Sequence, residues 1–268
     1  MIGAPRNGAG GRGLEARGLT KRYASVAVVR AVDVVVRPGD VIGYLGPNGS
    51  GKTTTVRMLT GLTEPSEGTV LHDGRNIYGD LVAFRRRLGY VPEEAHVYPF
   101  LSGREYLELV GRLRELPVAL LERKINSLLD LFGILGAADQ PISGYSKGMK
   151  QKVLISAALL HDPDLLILDE PESGLDVTAV LVLRSLIIEL ARRGKSILYS
   201  SHIMESVERV CSRVMVLHRG EVVADDSASR LRTLMALDSL EAVFAELVVQ
   251  DNPDRTASDI ADVAALRA

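Results

Sequence analysis

The chain has 268 residues, 46% of them hydrophobic and 25% charged, with a formal net charge of -2. That length suits one large domain or two small ones with an ordinary buried core, and the near-balanced charge argues against a general affinity for nucleic acid. The one cysteine, Cys211, rules out an intramolecular disulfide framework and fits a reducing compartment.

Residues 1–12 are rich in Gly, Ala and Arg and lack the apolar core of a secretory signal, so they are expected to form a flexible tail. Segments 14–23 and 26–36 are rich in β-branched residues and predict an antiparallel strand pair, closed by a turn at Arg37-Pro38-Gly39-Asp40. A short buried strand at 41–45 runs into a glycine-rich loop and then a helix over about 51–62. Strands at 69–71 and 75–77 flank His72-Asp73-Gly74, a hairpin signal. A short strand is expected at 88–91.

Apolar spacing then predicts helices at 103–116, 118–132 and 147–160. Segment 165–168 is a fully apolar strand, 177–193 a helix, 196–200 a strand and 204–211 a helix. Arg219-Gly220 joins strands 214–218 and 221–224, and the chain after Ser227 reads as helix ending in a polar tail. No stretch offers the ~18 uninterrupted apolar residues of a membrane span; 177–190 comes nearest, but Arg184 and Glu189 break it. Strands alternating with helices imply an α/β fold with a mainly parallel sheet covered on both sides. The expected organisation is a tail at 1–12, a main α/β domain at 13–226 with a helical insertion at about 81–160, and a helical extension and tail at 227–268.

The chemistry begins at Gly46-Pro47-Asn48-Gly49-Ser50-Gly51-Lys52-Thr53, followed by Thr54. This is a complete P-loop between an apolar strand and a helix. Its glycines let backbone N–H groups approach phosphate, and the helix directs its positive end at the same anion. Lys52 is positioned for the β- and γ-phosphates of ATP, and Thr53 for Mg²⁺. The second half of such a site is an apolar strand ending in carboxylates, supplied by Leu165-Leu166-Ile167-Leu168-Asp169-Glu170. Asp169 would serve the Mg²⁺ shell, and Glu170 would act as general base on the attacking water.

Further motifs narrow the reading. Tyr145-Ser146-Lys147-Gly148-Met149 precedes an apolar helix, Pro171-Glu172-Ser173-Gly174-Leu175-Asp176 follows Glu170, and Ser200-Ser201-His202 ends the next strand. In this order, over about 14–224, the chain resembles the nucleotide-binding domain of the ABC transporter superfamily, and so a P-loop NTPase core with an N-terminal antiparallel β subdomain and an inserted α-helical subdomain. The resemblance implies that Tyr23 stacks on adenine and that Ser146 and Gly148 cap the γ-phosphate bound by an opposite subunit. It further implies that Asp176, alternatively a plain helix cap, tunes communication between sites, and that His202 contacts γ-phosphate.

Two departures stand out. Glu93 occupies the place where the family usually has a metal-sensing glutamine, and Lys147 occupies that of the signature's first glycine. Glu93 is still expected to sense the metal. If its side chain points there, Lys147 would add positive charge near the partner's ATP. Both features are similar to ATPase subunits of two-component bacterial exporters.

The resemblance thus implies a Mg-dependent ATPase that pairs with a second ATP-binding subunit, most simply as a homodimer. It would power export through a separate polytopic permease from the cytoplasmic face of the membrane. The permease is expected to dock around 95–106, unless Tyr98, Phe100 and Leu101 simply pack the insertion's own core. A soluble regulatory ATPase acting on ribosomes or DNA is the alternative; the two-domain or coiled-coil architecture of such members is not seen, and no nucleic-acid partner is expected. A binder without hydrolysis is disfavoured by Glu170 and His202.

Overall fold

The computed structural model describes residues 13–94 and 96–248. The tail expected at 1–12, Ala95 of the expected docking segment and 249–268 of the expected extension lie outside the described residues.

Two sheets form the framework. The first is antiparallel, in the order β2-β1-β4-β5, from β1 (Leu14–Tyr23), β2 (Val26–Val36), β4 (Glu67–His72) and β5 (Arg75–Asn76). The second runs β10-β9-β3-β8-β7-β6, from β3 (Val41–Leu45), β6 (Leu88–Val91), β7 (Leu165–Asp169), β8 (Ser196–Ser200), β9 (Arg213–His218) and β10 (Glu221–Asp226). Every pair in it is parallel except β9–β10. The core sheet therefore includes β6, which lies within the span assigned from sequence to the helical insertion.

The helices are α1 (Lys52–Leu59), α2 (Leu81–Arg85), α3 (Gly103–Leu113), α4 (Val118–Leu131), α5 (Lys147–Leu159), α6 (Val177–Arg192), α7 (Met204–Val210), α8 (Ala228–Met235) and α9 (Leu240–Val248). The expected 51–62 helix is shorter because Gly61 turns left-handed at φ 69°. Residue 77, expected in a strand, instead starts a 3₁₀ turn capped by Asn76. The single helix expected after Ser227 breaks into α8 and α9 at Ala236, whose φ is 54°. The Asp73-Gly74 and Arg219-Gly220 hairpins both carry positive φ at their two central residues, which matches the twist of the strands they join.

Strand alternation divides the core into two layers. Ile42, Tyr44, Leu165, Ile167 and Leu198 face the antiparallel sheet and α1. Val41, Leu45, Leu166, Leu168 and Tyr199 face the opposite cluster, which includes residues of α5, α6, α7 and α9. Both faces are buried, as the continuous apolar runs predict for parallel strands. A third cluster, with Leu107, Ile125, Leu129, Tyr145 and Val153, holds α3, α4 and α5 together. No helix among the described residues is long and apolar enough to cross a membrane.

Candidate functional site

A cleft of about 610 Å³ opens at the carboxyl ends of the parallel strands, where such sheets bind ligands. Its floor is the loop between β3 and α1, and its walls come from the ends of β7 and β8. The loop sequence is dictated by crowding and by backbone sign. A Cβ at Gly46 would lie 2.4 Å from the Leu217 carbonyl oxygen. Gly51 caps α1 at φ 103° and lies against the Val28 carbonyl.

Gly46, Pro47, Asn48, Gly49, Gly51, Lys52, Thr53 and Thr54 all line the cleft, together with Glu93, Asp169, Glu170 and His202. Ser50 does not. Its side chain is buried beneath the loop, and its carbonyl accepts from the Gly220 N–H at 2.9 Å.

Lys52 Nζ donates to the Gly46 and Pro47 carbonyls at 2.5 and 3.2 Å. Burial lowers its pKa, while Glu170, Asp169 and Glu93 oppose that shift. Asp169 is only 2% exposed, and its Oδ2 has no hydrogen-bond partner. Burial pushes its pKa up to about 6, and the charges of Glu93 and Glu170 add to the rise. The Ser200 hydroxyl is near enough to lower it, yet makes no hydrogen bond of normal geometry. Glu170 is also raised, first by burial and then by Glu93, against the lowering effect of His202 and Lys52. Its backbone sits at φ 49°, a conformation costing a non-glycine residue roughly 1–3 kcal/mol. The bond from its N–H to the Ser200 carbonyl, 2.9 Å, helps hold it there. His202 extends from the end of β8 and places Nδ1 2.8 Å from Glu170 Oε2.

These donors suit Mg²⁺. A buried carboxylate oxygen without a partner, a second carboxylate at Glu93 and the Thr53 hydroxyl are hard oxygen ligands, and they are few. Mg²⁺ binds in this way, keeping waters and phosphate oxygens in its shell, whereas a dedicated cage would need more side chains. No group of three or more His, Cys, Asp or Glu among the described residues forms such a cage.

The remaining candidates lie elsewhere. Tyr23 is 49% exposed at the end of β1, with Lys21 Nζ 5.5 Å from its ring centre, and it does not line the cleft. Ser146 and Gly148 also lie outside it. Ser146 caps α5 by accepting from the Met149 N–H, and a Cβ at Gly148 would meet the Gly174 carbonyl oxygen at 2.5 Å. The stem of Lys147 runs over Gly174, and Gln151 donates to the Pro171 carbonyl at 3.0 Å. The start of α5 is thus seated on the turn that follows Glu170. Asp176 caps α6 through the Ala179 N–H at 2.9 Å.

Four lining residues were not among the candidate site residues: Val28, Ser201, Met204 and Phe244. Phe244 comes from α9, which packs back on α7, and no local signal foretells that long-range placement. In the segment expected to dock a permease, Phe100 is 90% and Tyr98 61% exposed, so neither is buried in the core of the helical block.

Residues 29–173 match the sequence family described as ABC transporter. The chain is 37% identical over 226 residues to the ABC transporter ATP-binding protein NatA of Bacillus subtilis (strain 168), covering 84% of this chain and 92% of that one. It is 37% identical over 220 residues to Nod factor export ATP-binding protein I of Ralstonia nicotianae, covering 82% and 68%. A solved ATP-binding subunit of an ABC transporter aligns with a TM-score of 0.83 at 35% identity, covering 87% of this chain and 98% of that one. A bacterial ABC transporter cassette solved as a dimer shares the fold, with a TM-score of 0.75 at 23% identity over 80% of this chain and 98% of its own.

Proposed function

The chain belongs to the ABC transporter family as an ATP-binding subunit, and from that premise we propose that it hydrolyses Mg-ATP in a head-to-tail dimer to drive export through a separate membrane permease. The observation that carries the proposal is the cleft itself, where the P-loop lysine shares its walls with an aspartate that buries one unpartnered oxygen and a glutamate in contact with histidine.

The loop N–H groups and the start of α1 hold the phosphates of ATP. Lys52 exchanges its loop carbonyls for phosphate oxygens, a stronger charge-assisted interaction. Thr53, Asp169 and Glu93 would hold Mg²⁺, which would supply positive charge to offset the negative charge that builds on the phosphate during transfer. Glu170 takes a proton from the water that attacks the γ-phosphorus. The bond from that phosphorus to the bridging oxygen breaks, and ADP leaves. Burial raises the proton affinity of Glu170, which favours that transfer. His202 orients Glu170 through Nδ1 and presents its exposed ring to the γ-phosphate. Tyr23 supports the adenine from the end of β1.

The dimer is supported by the location of Ser146 and Gly148, which belong to no wall of their own chain's cleft. A second copy would bring its α5 N-terminus over the γ-phosphate. The exposed Phe100 and Tyr98 offer an apolar surface for the cytoplasmic segments of a permease, which would keep the chain on the inner face of the membrane. Export is supported by the likeness to the Nod factor export ATP-binding protein and by Glu93 and Lys147.

The test is Glu170→Gln. Its phosphate release should fall by about 100-fold or more, and sedimentation with ATP and Mg²⁺ should show a dimer. A variant that remains monomeric with ATP would overturn the head-to-tail dimer. Co-purification from solubilised membranes should recover a polytopic protein; recovery of ribosomes or DNA instead would overturn the transport role.

A further inference from the structure

One buried carboxylate lies beside the catalytic turn and takes no part in the chemistry above. Glu172 is 6% exposed, two residues beyond Glu170. Its Oε1 accepts from the Tyr199 hydroxyl at 2.8 Å and from Arg184 Nε at 3.1 Å. Its Oε2 accepts from the Ser206 hydroxyl at 2.7 Å and from Arg184 Nη2 at 3.4 Å. Arg184 also donates to Ser206, which closes the network. Both carboxylate oxygens are therefore fully used, and nothing in the group is left for a ligand.

The connectivity gives this network its meaning. Tyr199 is on β8, three residues before His202, and Ser206 is on α7, four residues after it. Glu172 thus holds both ends of the short segment that carries His202. Its own turn carries Glu170, with Ser173 N–H bonded to the Glu170 carbonyl at 3.1 Å and Leu175 N–H to the Glu172 carbonyl at 3.1 Å. The contact between His202 Nδ1 and Glu170 Oε2 spans the two segments that Glu172 joins. Arg184, on α6, supplies the charge that makes a buried carboxylate tolerable there.

We propose that Glu172 is a positioning residue for hydrolysis, clamping both ends of the His202 segment to the Glu170 turn so that histidine and glutamate meet in register. The inference rests on the hydrolytic reading of the cleft. Misplacement of a reacting group by about 1 Å can cost on the order of 100-fold in rate, so loosening this clamp should register in turnover more than in binding.

The experiment compares Glu172→Ala, Glu172→Gln and the uncharged pair Glu172→Met with Arg184→Met, each alone and combined with His202→Ala. Phosphate release gives kcat and KM for Mg-ATP, and thermal melting reports folding. Glu172→Ala should lower kcat by about 10- to 100-fold while KM stays within about twofold. Glu172→Gln, which keeps an acceptor for Tyr199 and Arg184, should recover part of that loss. In the His202→Ala background the Glu172 substitutions should cost no more than about a further twofold, because the contact they position is already gone. If Glu172→Ala does not fold, the uncharged pair takes its place and should show the same kcat loss. Wild-type kcat in a folded variant, or losses that simply multiply with His202→Ala, would overturn the inference. Wild-type turnover in Glu170→Gln would overturn the hydrolytic reading itself, and the clamp with it.

Discussion

The two ends of the parallel sheet are both charged, but they treat charge in opposite ways. At the amino ends of the strands the charges are paired. Arg87, just before β6, reaches Asp164 before β7 at 2.7 Å and Asp73 at 2.7 Å. Lys195, before β8, reaches Asp162 at 2.7 Å. Lysine and arginine neighbours help hold Asp73 and Asp162 below the usual carboxylate range, against the opposite pull of burial. At the carboxyl ends, Asp169 and Glu170 are pushed up, and one oxygen of Asp169 is buried without a partner. The lower end completes its own electrostatics. The upper end holds excess negative charge beside a phosphate loop, an arrangement that a cation and an anion bound together would complete. That polarity gives the fold a working face.

The sharpest way to break the comparison is to remove the one lysine at the upper end. Lys52→Ala should reduce ATP turnover by about 100-fold or more, since a single donor aimed at developing charge is worth that much. Folding should hardly change, because the lysine's hydrogen bonds go to two loop carbonyls. A net hydrogen bond is worth about 1 kcal/mol, so melting should shift little. Phosphate release and thermal melting on the same sample test both halves. A variant that loses stability in step with activity would mean that the upper end is as self-contained as the lower.

The lower end predicts a pH effect of definite sign. His161 Nε2 lies 3.0 Å from the Leu88 carbonyl, and burial followed by Arg114 pushes its pKa down to about 4. The unfolded chain binds the proton near pH 6.5 and the folded chain only near 4. Stability from this group is therefore complete above about pH 6.5 and is lost as pH falls toward 4. The full loss is on the order of 3 kcal/mol at 1.36 kcal/mol per unit. His161→Gln keeps a polar contact to Leu88 without titrating, and should flatten that slope in urea unfolding between pH 7 and 4.5. An unchanged slope would remove His161 from the account.

The contrast between the ends also explains what could be read from the sequence. The phosphate loop, Asp169 and Glu170 were legible because local geometry demands their residue types: glycines at a crowded turn and acids at the end of an apolar strand. The strands of the core sheet were legible for a related reason, since burial on both faces requires uninterrupted apolar runs. The Glu172 network was not. Its partners Arg184, Tyr199 and Ser206 come from three different elements, and in sequence each looks like an ordinary polar residue. Phe244 was hidden for the same reason, being carried to the cleft by the packing of α9. The break at Ala236 was missed because alanine, a strong helix former, gives no warning of a left-handed residue.

The smallest expected effect concerns Glu93, and it separates two origins for the raised carboxylates above. If burial dominates, as it does for both Asp169 and Glu170, then neutralising Glu93 should leave most of the site's character intact. Glu93 is exposed at the cleft, and a solvent-facing charge near another is worth about 1 kcal/mol. Glu93→Gln should therefore keep turnover within about tenfold of the parent. Glutamine would still offer an oxygen to Mg²⁺, so half-saturation by the metal should move modestly toward higher concentration, as expected when a charged ligand becomes neutral. A Mg²⁺ titration of phosphate release reads both quantities. Complete loss of activity would mean that the Glu93 charge itself is indispensable, and metal sensing through a neutral oxygen at this position would have to be abandoned.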